Sequence, residues 1–290
     1  MLSDLKPIDR DRHVLIAGPT ACGKSALALE IAAKGGRTIV NADALQVFAD
    51  WRVLTARPSV ADEAACPHAL YGHVPGDHPY SVGQWLRDIR PLLANPCVIV
   101  GGTGLYFTSL TEGLADIPDT PDAVRREAMA RLDAEGPAAL LAELDAETAG
   151  KIDTNNPMRI QRAWEVLTNT GRGLAQWQAE TGPPLLPRGD AQPILLDAPK
   201  VWLTPRIEQR FDSMLANGAL DEARENAADW ASTRPSAKAI GAAELIAHVK
   251  GQMSLSDARE AAIITTRQYA KRQRSWFRAR MADWDVVPCC

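Results

Sequence analysis

Aromatic side chains are scarce in this sequence, at 6% of 290 residues, and there are only five cysteines. Cys22, Cys66, Cys97, Cys289 and Cys290 are odd in number, and no pair has metal-ligand spacing. That excludes a disulfide scaffold and a cysteine-bound metal, and it points to a reducing, cytoplasmic compartment. No apolar run approaches the length of a bilayer-spanning helix, so no membrane partner is expected. The opening MLSDLKPIDRDRH is polar and lacks the apolar stretch of a secretory signal. An overall basic charge is missing too. The formal net charge is −4 and the pI about 5.8, which argues against a general nucleic-acid coat but leaves room for a local basic groove.

What is present is enough apolar material, 46% of residues, to bury a sizeable core, and the length suits one domain plus a substantial second one or a single domain with a large insertion. His13 to Ala17 is a short apolar run of the kind that forms a buried parallel strand. It leads straight into GPTACGKS and then into a helical pattern from Lys24 to Ala33. Further strands are expected at Thr38 to Ala42, ending on Asp43, and at Cys97 to Val100, ending on Gly101-Gly102-Thr103. In open α/β sheets the strand ends face the ligand crevice, so Gly18, Asp43 and Gly101 should arrive at one rim. From Ala115 to Ala149 the character changes to an Ala-rich helical stretch with nine acids against three bases. Asn155-Asn156-Pro157 reads as a cap before a helix from Met158 to Leu167. Thr181 to Lys200 reads as a Pro-rich connector with a short strand near Pro193 to Leu196. Helices are then expected at Pro205 to Ala216, Leu220 to Ala231, Ser236 to Val249 and Leu255 to Phe277.

Gly18 to Ser25 matches G-x-x-x-x-G-K-[ST] at every fixed position. Glycines let the backbone curl until its N–H groups converge on one anion, and the following helix N-terminus adds its dipole. Lys24 adds a point charge, and Ser25 offers a hydroxyl to Mg²⁺. Asp43 is a candidate general base or metal ligand, with a turn cap as the alternative. Thr103 is either a substrate contact or the cap of a tight turn. Ala261 to Ala282 carries Arg267, Lys271, Arg272, Arg274, Arg278 and Arg280 with no acid, interleaved with Tyr269, Trp276 and Phe277. Arginines with aromatics suit phosphate contact and base stacking, although a solvated helix face over core aromatics gives the same pattern. Arg159 with Arg162, and Arg206 with Arg210, share helix faces, where they can meet an anion or neighbours such as Glu165 and Glu208.

The ordered motifs resemble those of the bacterial tRNA dimethylallyltransferases, also called tRNA isopentenyltransferases, from about His13 to Arg278. They are GPTACGKS, NADALQVF (from Asn41), TARP (from Thr55), Pro67-His68, GGTGLYF (from Gly101), NNPMRIQRAWEV (from Asn155), RIEQRF (from Arg206) and TTRQYAKRQRSWFR (from Thr265). The resemblance implies an α/β fold: a P-loop NTPase-like parallel sheet core, residues 1–114 and 195–290, with a mostly helical insertion domain at 115–194 that contacts the tRNA anticodon arm. It implies transfer of a dimethylallyl group from dimethylallyl diphosphate to N6 of adenosine 37, in tRNAs reading codons that begin with U. The phosphate loop would then hold a leaving diphosphate through Gly18, Thr20, Ala21, Cys22, Gly23, Lys24 and Ser25, helped by Arg206 and Arg210, with Mg²⁺ on Ser25. Asp43 would be the general base and Thr103 a catalytic-site threonine.

By the same resemblance the tRNA anticodon stem-loop would touch Asp43, Ala44, Leu45, Gln46, Thr103 and Arg125. It would also touch Met158, Arg159, Ile160, Gln161, Arg162 and Lys238, and along the last helix Lys271, Arg272, Gln273, Arg274, Ser275, Trp276, Phe277 and Arg278. The enzyme would act as a monomer. The sequence departs from the family pattern at Ala44 (usually Ser), Phe48 (usually Tyr) and Cys22 (commonly Ser). It departs again at IGAAE, from Ile240 to Glu244, which lacks the usual aromatic and basic pair. The charged residues of the chemical centre all remain. Two rival readings share parts of the pattern: a small-molecule kinase has the first forty residues, and an RNA-binding module has the last helix.

Overall fold

The structure is a computed structural model in which residues 5–289 are described. The opening four residues and Cys290, read above as sequence, lie outside the described residues. Six strands form one parallel sheet: β1 (His13–Ala17), β2 (Ile39–Asn41), β3 (His68–Ala69), β4 (Val98–Gly101), β5 (Ala191–Asp197) and β6 (Asp285–Pro288), in the order β3-β2-β4-β1-β5-β6. The central strands β1 and β4 are apolar and buried almost along their whole length because both faces are covered. Side chains alternate sides along a strand. Val14 and Ile16 of β1, Val98 and Val100 of β4, and Ile194 and Leu196 of β5 enter one core cluster. Leu15 and Ala17, Cys97 and Ile99, and Ala191 and Leu195 enter the other.

The helix Lys24–Gly35 covers the first face with Leu27, Ala28, Ile31 and Ala32. It stops at Gly36, whose φ of +63° lets its N–H return to the Ala32 carbonyl. Tyr106, Phe107 and Leu110 of the helix Gly104–Glu112 cover the second face, beside Trp85 and Phe277. The long helix Leu255–Arg280, capped by Ser254, packs on both clusters through Ala262, Ala270 and Phe277.

Several boundaries differ from those expected. The helix placed at Pro205 starts at Lys200 and carries Pro205 inside it, giving up one backbone hydrogen bond. The helix expected from Ser236 to Val249 is broken into a 3₁₀ turn, Pro235–Lys238, and a helix, Ala242–Val249. Between them Gly241 sits at φ +93°, where a Cβ would press on Phe211 and Leu54. The edge strands β3 and β6 were not foreseen.

The chain divides into two compact units, one formed up to Thr111 and from Leu185, the other Glu112–Pro184. The second unit is helical, around Ala128, Leu140, Ile160 and Trp164. The boundary expected at 194/195 would cut β5 in mid-strand, because the paired stretch begins at Ala191.

Candidate active site

Registers Ala17↔Gly101 and Asn41↔Val100 bring the carboxyl ends of β1, β4 and β2 to one edge. The expected rim is therefore formed. After β1 the chain turns through Ala21 (φ +62°) and Gly23 (φ +91°), left-handed positions of the kind that turn successive N–H groups toward one point. Gly18 has no room for a side chain, since a Cβ there would lie 2.7 Å from Cys22 Sγ. Cys22 is fully buried under the loop, and burial pushes its thiol pKa up, so its thiol is not offered to an anion.

Among the described residues Lys24 reaches only the Pro19 carbonyl, at 3.4 Å. Its pKa is lowered, chiefly by burial; Cys22 pulls it back up, Arg210 lowers it further and Asp43 raises it slightly. Arg210 is likewise lowered by burial and partly offset by Asp43. Two desolvated cations side by side favour an anion between them. Across a cavity from the loop stand Arg206, Gln209, Arg210 and Ser213 of the helix Lys200–Ala216. Arg206 lies over the Trp202 ring at 3.8 Å from its centre, while Glu208 is taken by Arg267.

Asp43 is held by a lattice of hydrogen bonds. Asn41, fully buried at the end of β2, accepts the Asp43 N–H at 2.8 Å and donates to the Asp43 carbonyl at 2.9 Å. The Trp85 indole N–H donates to the Asn41 carbonyl at 2.8 Å. One Asp43 oxygen, Oδ1, accepts the Leu45 N–H at 3.0 Å, so the residue does cap a turn. The carboxylate nonetheless lines the same pocket as Lys24, Arg210 and Tyr269. Thr103 behaves similarly: its hydroxyl accepts the Ala44 N–H at 2.9 Å, joining the turns after β2 and β4.

The two glycines before Thr103 are required by crowding. A Cβ on Gly101 would strike the Ala42 carbonyl, and one on Gly102 would strike the Gln273 amide. Gln273, from the long helix, accepts the Thr20 N–H at 2.9 Å and donates to the Gly102 carbonyl at 2.9 Å. One buried amide thus ties the phosphate loop to the β4 turn.

The pocket has a charged end and an apolar wall of Leu54, Ile207, Phe211, Met214 and Ile240. Sequence reading missed this wall. Its visible signal is that Ile207 and Phe211 each follow one of the paired arginines by a single residue, which turns them to the adjoining face. Tyr269 was also missed as a pocket residue; its phenol pKa is pushed up by burial and then by the Asp43 charge. Three successive N–H groups at residues 52–54 bind the Glu222 carboxylate, which fixes the Leu54 side of the wall.

Four residues expected at the RNA face are instead internal. Gln273 is the buried bridge just described, and Phe277 is packed in the core with Trp284. In the second unit Ile160 belongs to the core, and buried Gln161 donates to Glu165 at 2.8 Å. The 3.6-residue repeat that turns Lys271 and Arg278 outward turns Gln273 and Phe277 inward. Trp276 is half-buried against Gly104. Lys271, Arg272, Ser275, Arg278 and Lys238 are exposed, as are Arg125, Met158 and Arg159 of the second unit. Arg162 is partly spent on the Thr120 hydroxyl at 2.6 Å and Glu165 at 3.7 Å. Gln46 commits its amide to the Thr55 and Ala56 carbonyls.

Ser25 borders both cavities, and its hydroxyl is a hard oxygen donor. Mg²⁺ is commonly held by one or two protein oxygens with substrate phosphates completing the shell, so this donor set fits it.

A family model described as IPP transferase matches residues 46–280, and one described as Isopentenyl transferase matches residues 12–65. A tRNA dimethylallyltransferase of Cereibacter sphaeroides is 59% identical over 99% of this chain and 92% of its own length. The solved tRNA isopentenylpyrophosphate transferase of Bacillus halodurans superposes with a TM-score of 0.66 at 27% identity, covering 96% of this chain and 90% of that one. A eukaryotic dimethylallyltransferase solved while acting on tRNA shares the fold, with a TM-score of 0.80 at 24% identity over 96% of this chain and 73% of that one. The parallel sheet, the phosphate loop on its rim and these likenesses agree: the chain belongs to the tRNA dimethylallyltransferase family, the IPP transferases, and is a prenyl-transferring enzyme.

Proposed function

We propose that this enzyme moves a dimethylallyl group from dimethylallyl diphosphate to N6 of adenosine 37 beside the anticodon of tRNAs reading codons that begin with U. The observation that carries the reading is a single pocket holding two desolvated cations, an apolar wall and a carboxylate together. The diphosphate lies on the loop Gly18–Ser25 between Lys24, Arg206 and Arg210. The five-carbon tail lies on Leu54, Ile207, Phe211, Met214 and Ile240. The bond from the allylic carbon to the bridging oxygen breaks, a bond from that carbon to N6 forms, and Asp43 takes the N6 proton. Lys24 and Arg210 stabilise the negative charge that grows on the leaving oxygen, in a site already organised for it. Ser25 would hold Mg²⁺, which when bound adds further neutralisation of the diphosphate.

The adenine has to leave its stack to reach Asp43, as a base does wherever chemistry needs an enclosed pocket. Exposed cations grip the anticodon arm: Lys238, Lys271, Arg272 and Arg278, with Arg125 and Arg159 in the helical segment 115–194. The working state proposed is a monomer, and its place of work the cytoplasm.

The test supplies unmodified tRNA with dimethylallyl diphosphate or with ATP and analyses the nucleosides by mass. A gain of one prenyl group on adenosine from the first donor alone is expected. Phosphorylation from ATP with no prenyl gain refutes the reading. Asp43→Asn should lower transfer by about 10²- to 10⁴-fold while tRNA affinity stays within about threefold, less than 0.7 kcal/mol.

A further inference from the structure

A second cavity lies between the helices Lys200–Ala216 and Leu255–Arg280, apart from the phosphate-loop cradle. Four cations line it, Lys200, Arg267, Lys271 and Arg274, with the Thr204 hydroxyl and an apolar floor that includes Leu203; no acid is among its lining residues. Arg267 gives one guanidinium nitrogen to Glu208. Its Nε, and the Nε of Arg274, are buried and have no hydrogen-bond partner among the described residues. Those two atoms are closed to a ligand, so it is the four cations with no lining acid that make the cavity a place for an oxygen-bearing anion.

The shape of the charge selects the anion. Residues 267, 271, 274 and 278 are spaced by four, three and four, which places them in one stripe along the helix. At 1.5 Å per residue the stripe runs roughly 16 Å. That suits a row of phosphates better than a lone ion. Lys200, at the start of the neighbouring helix, widens the stripe into a two-walled seat. We infer that this cavity seats a phosphodiester of the tRNA strand, with Lys200 and Thr204 as RNA contacts on a helix so far assigned to the diphosphate and the five-carbon tail. The inference rests on the reading of tRNA as substrate.

Lys200 is exposed and begins its helix, where alanine is well accommodated. Binding of unmodified tRNA to the full chain is measured across a salt series for the wild type, Lys200→Ala and Lys200→Glu. Each lost phosphate contact reduces the slope of log K against log salt by about 0.7 to 0.9. The alanine variant is expected to lose that much and the glutamate variant more, while inorganic pyrophosphate, held by the phosphate loop, binds as in the wild type. Unchanged slope and tRNA affinity in both variants overturn the inference, and if the wild type still prenylates tRNA the functional reading stands. Loss of inorganic phosphate binding with tRNA affinity intact also overturns it, in favour of a small-anion site. A wild type that binds no tRNA brings down both.

Discussion

Replacing Gln273 tests whether the phosphate loop depends on the long helix. The Gln273 amide is the shared partner of the Thr20 N–H and the Gly102 carbonyl. Gln273→Met keeps the volume close and removes both bonds. A buried carbonyl left unsatisfied costs about 1–3 kcal/mol, and a lost bond at the less buried Thr20 about 0.5–1.5 kcal/mol. The expected loss is therefore about 1.5–4.5 kcal/mol, which a domain stable by about 5–15 kcal/mol survives. Urea unfolding followed by fluorescence should show a lower midpoint at unchanged slope, and pyrophosphate should bind the folded variant more weakly.

Gln273→Glu separates the two bonds. The introduced carboxylate still accepts from Thr20 but faces the Gly102 oxygen as a second acceptor. Burial and that oxygen raise its pKa in the folded state, so the variant is most nearly wild-type below the ordinary glutamate range and loses stability as pH rises through the raised value. A Gln273→Met variant within about 0.5 kcal/mol of wild type, the scale of ordinary surface substitutions, with unaltered pyrophosphate binding, would refute the argument.

Two further outcomes follow from the charged end of the pocket. Burial and Arg210 hold Lys24 below the ordinary lysine range, and a diphosphate bound beside it should raise its pKa again. Pyrophosphate affinity should therefore fall as pH rises through the lowered value, and between that value and the ordinary range binding should take up a proton; calorimetry in buffers of different ionisation heat measures this, and no uptake at any pH would contradict it. Trp202→Leu removes the ring beneath Arg206 and should cost about 0.5–2 kcal/mol of leaving-group stabilisation, roughly two- to thirtyfold in kcat/KM, with Trp202→Phe recovering most of it; equal kcat/KM in all three proteins would show that the ring has no such role.

The rim was legible because its parts are local. A strand, a glycine-rich turn and a helix in succession specify a phosphate loop, and strands ending on Asp43 and Gly101 specify its neighbours. The apolar wall was not legible. Leu54, Phe211 and Ile240 come from three distant segments, and only tertiary packing gathers them. β6 was missed because Asp285–Pro288 is short and ends in proline, a pattern that a β propensity argument passes over; its pairing with β5 decides the matter. The last helix was read correctly as basic, but the charge pattern alone did not separate Phe277, which it buries, from Arg278, which it exposes. Gln273 looked like one more polar residue in a basic run, and nothing in its neighbours announces that it meets Thr20.

The junction of the two units carries a consequence for folding. The Leu186 N–H bonds the Leu110 carbonyl at 3.1 Å, so the chain re-enters the sheet-bearing unit beside the point where it left. β5 must pair with β1 across the whole helical excursion, a long closure for an unfolded chain. Once Glu112–Pro184 has collapsed on its own core, that closure shrinks to the distance between two adjacent residues. Lengthening a loop within Glu112–Pro184 is therefore expected to leave the refolding rate of the sheet nearly unchanged.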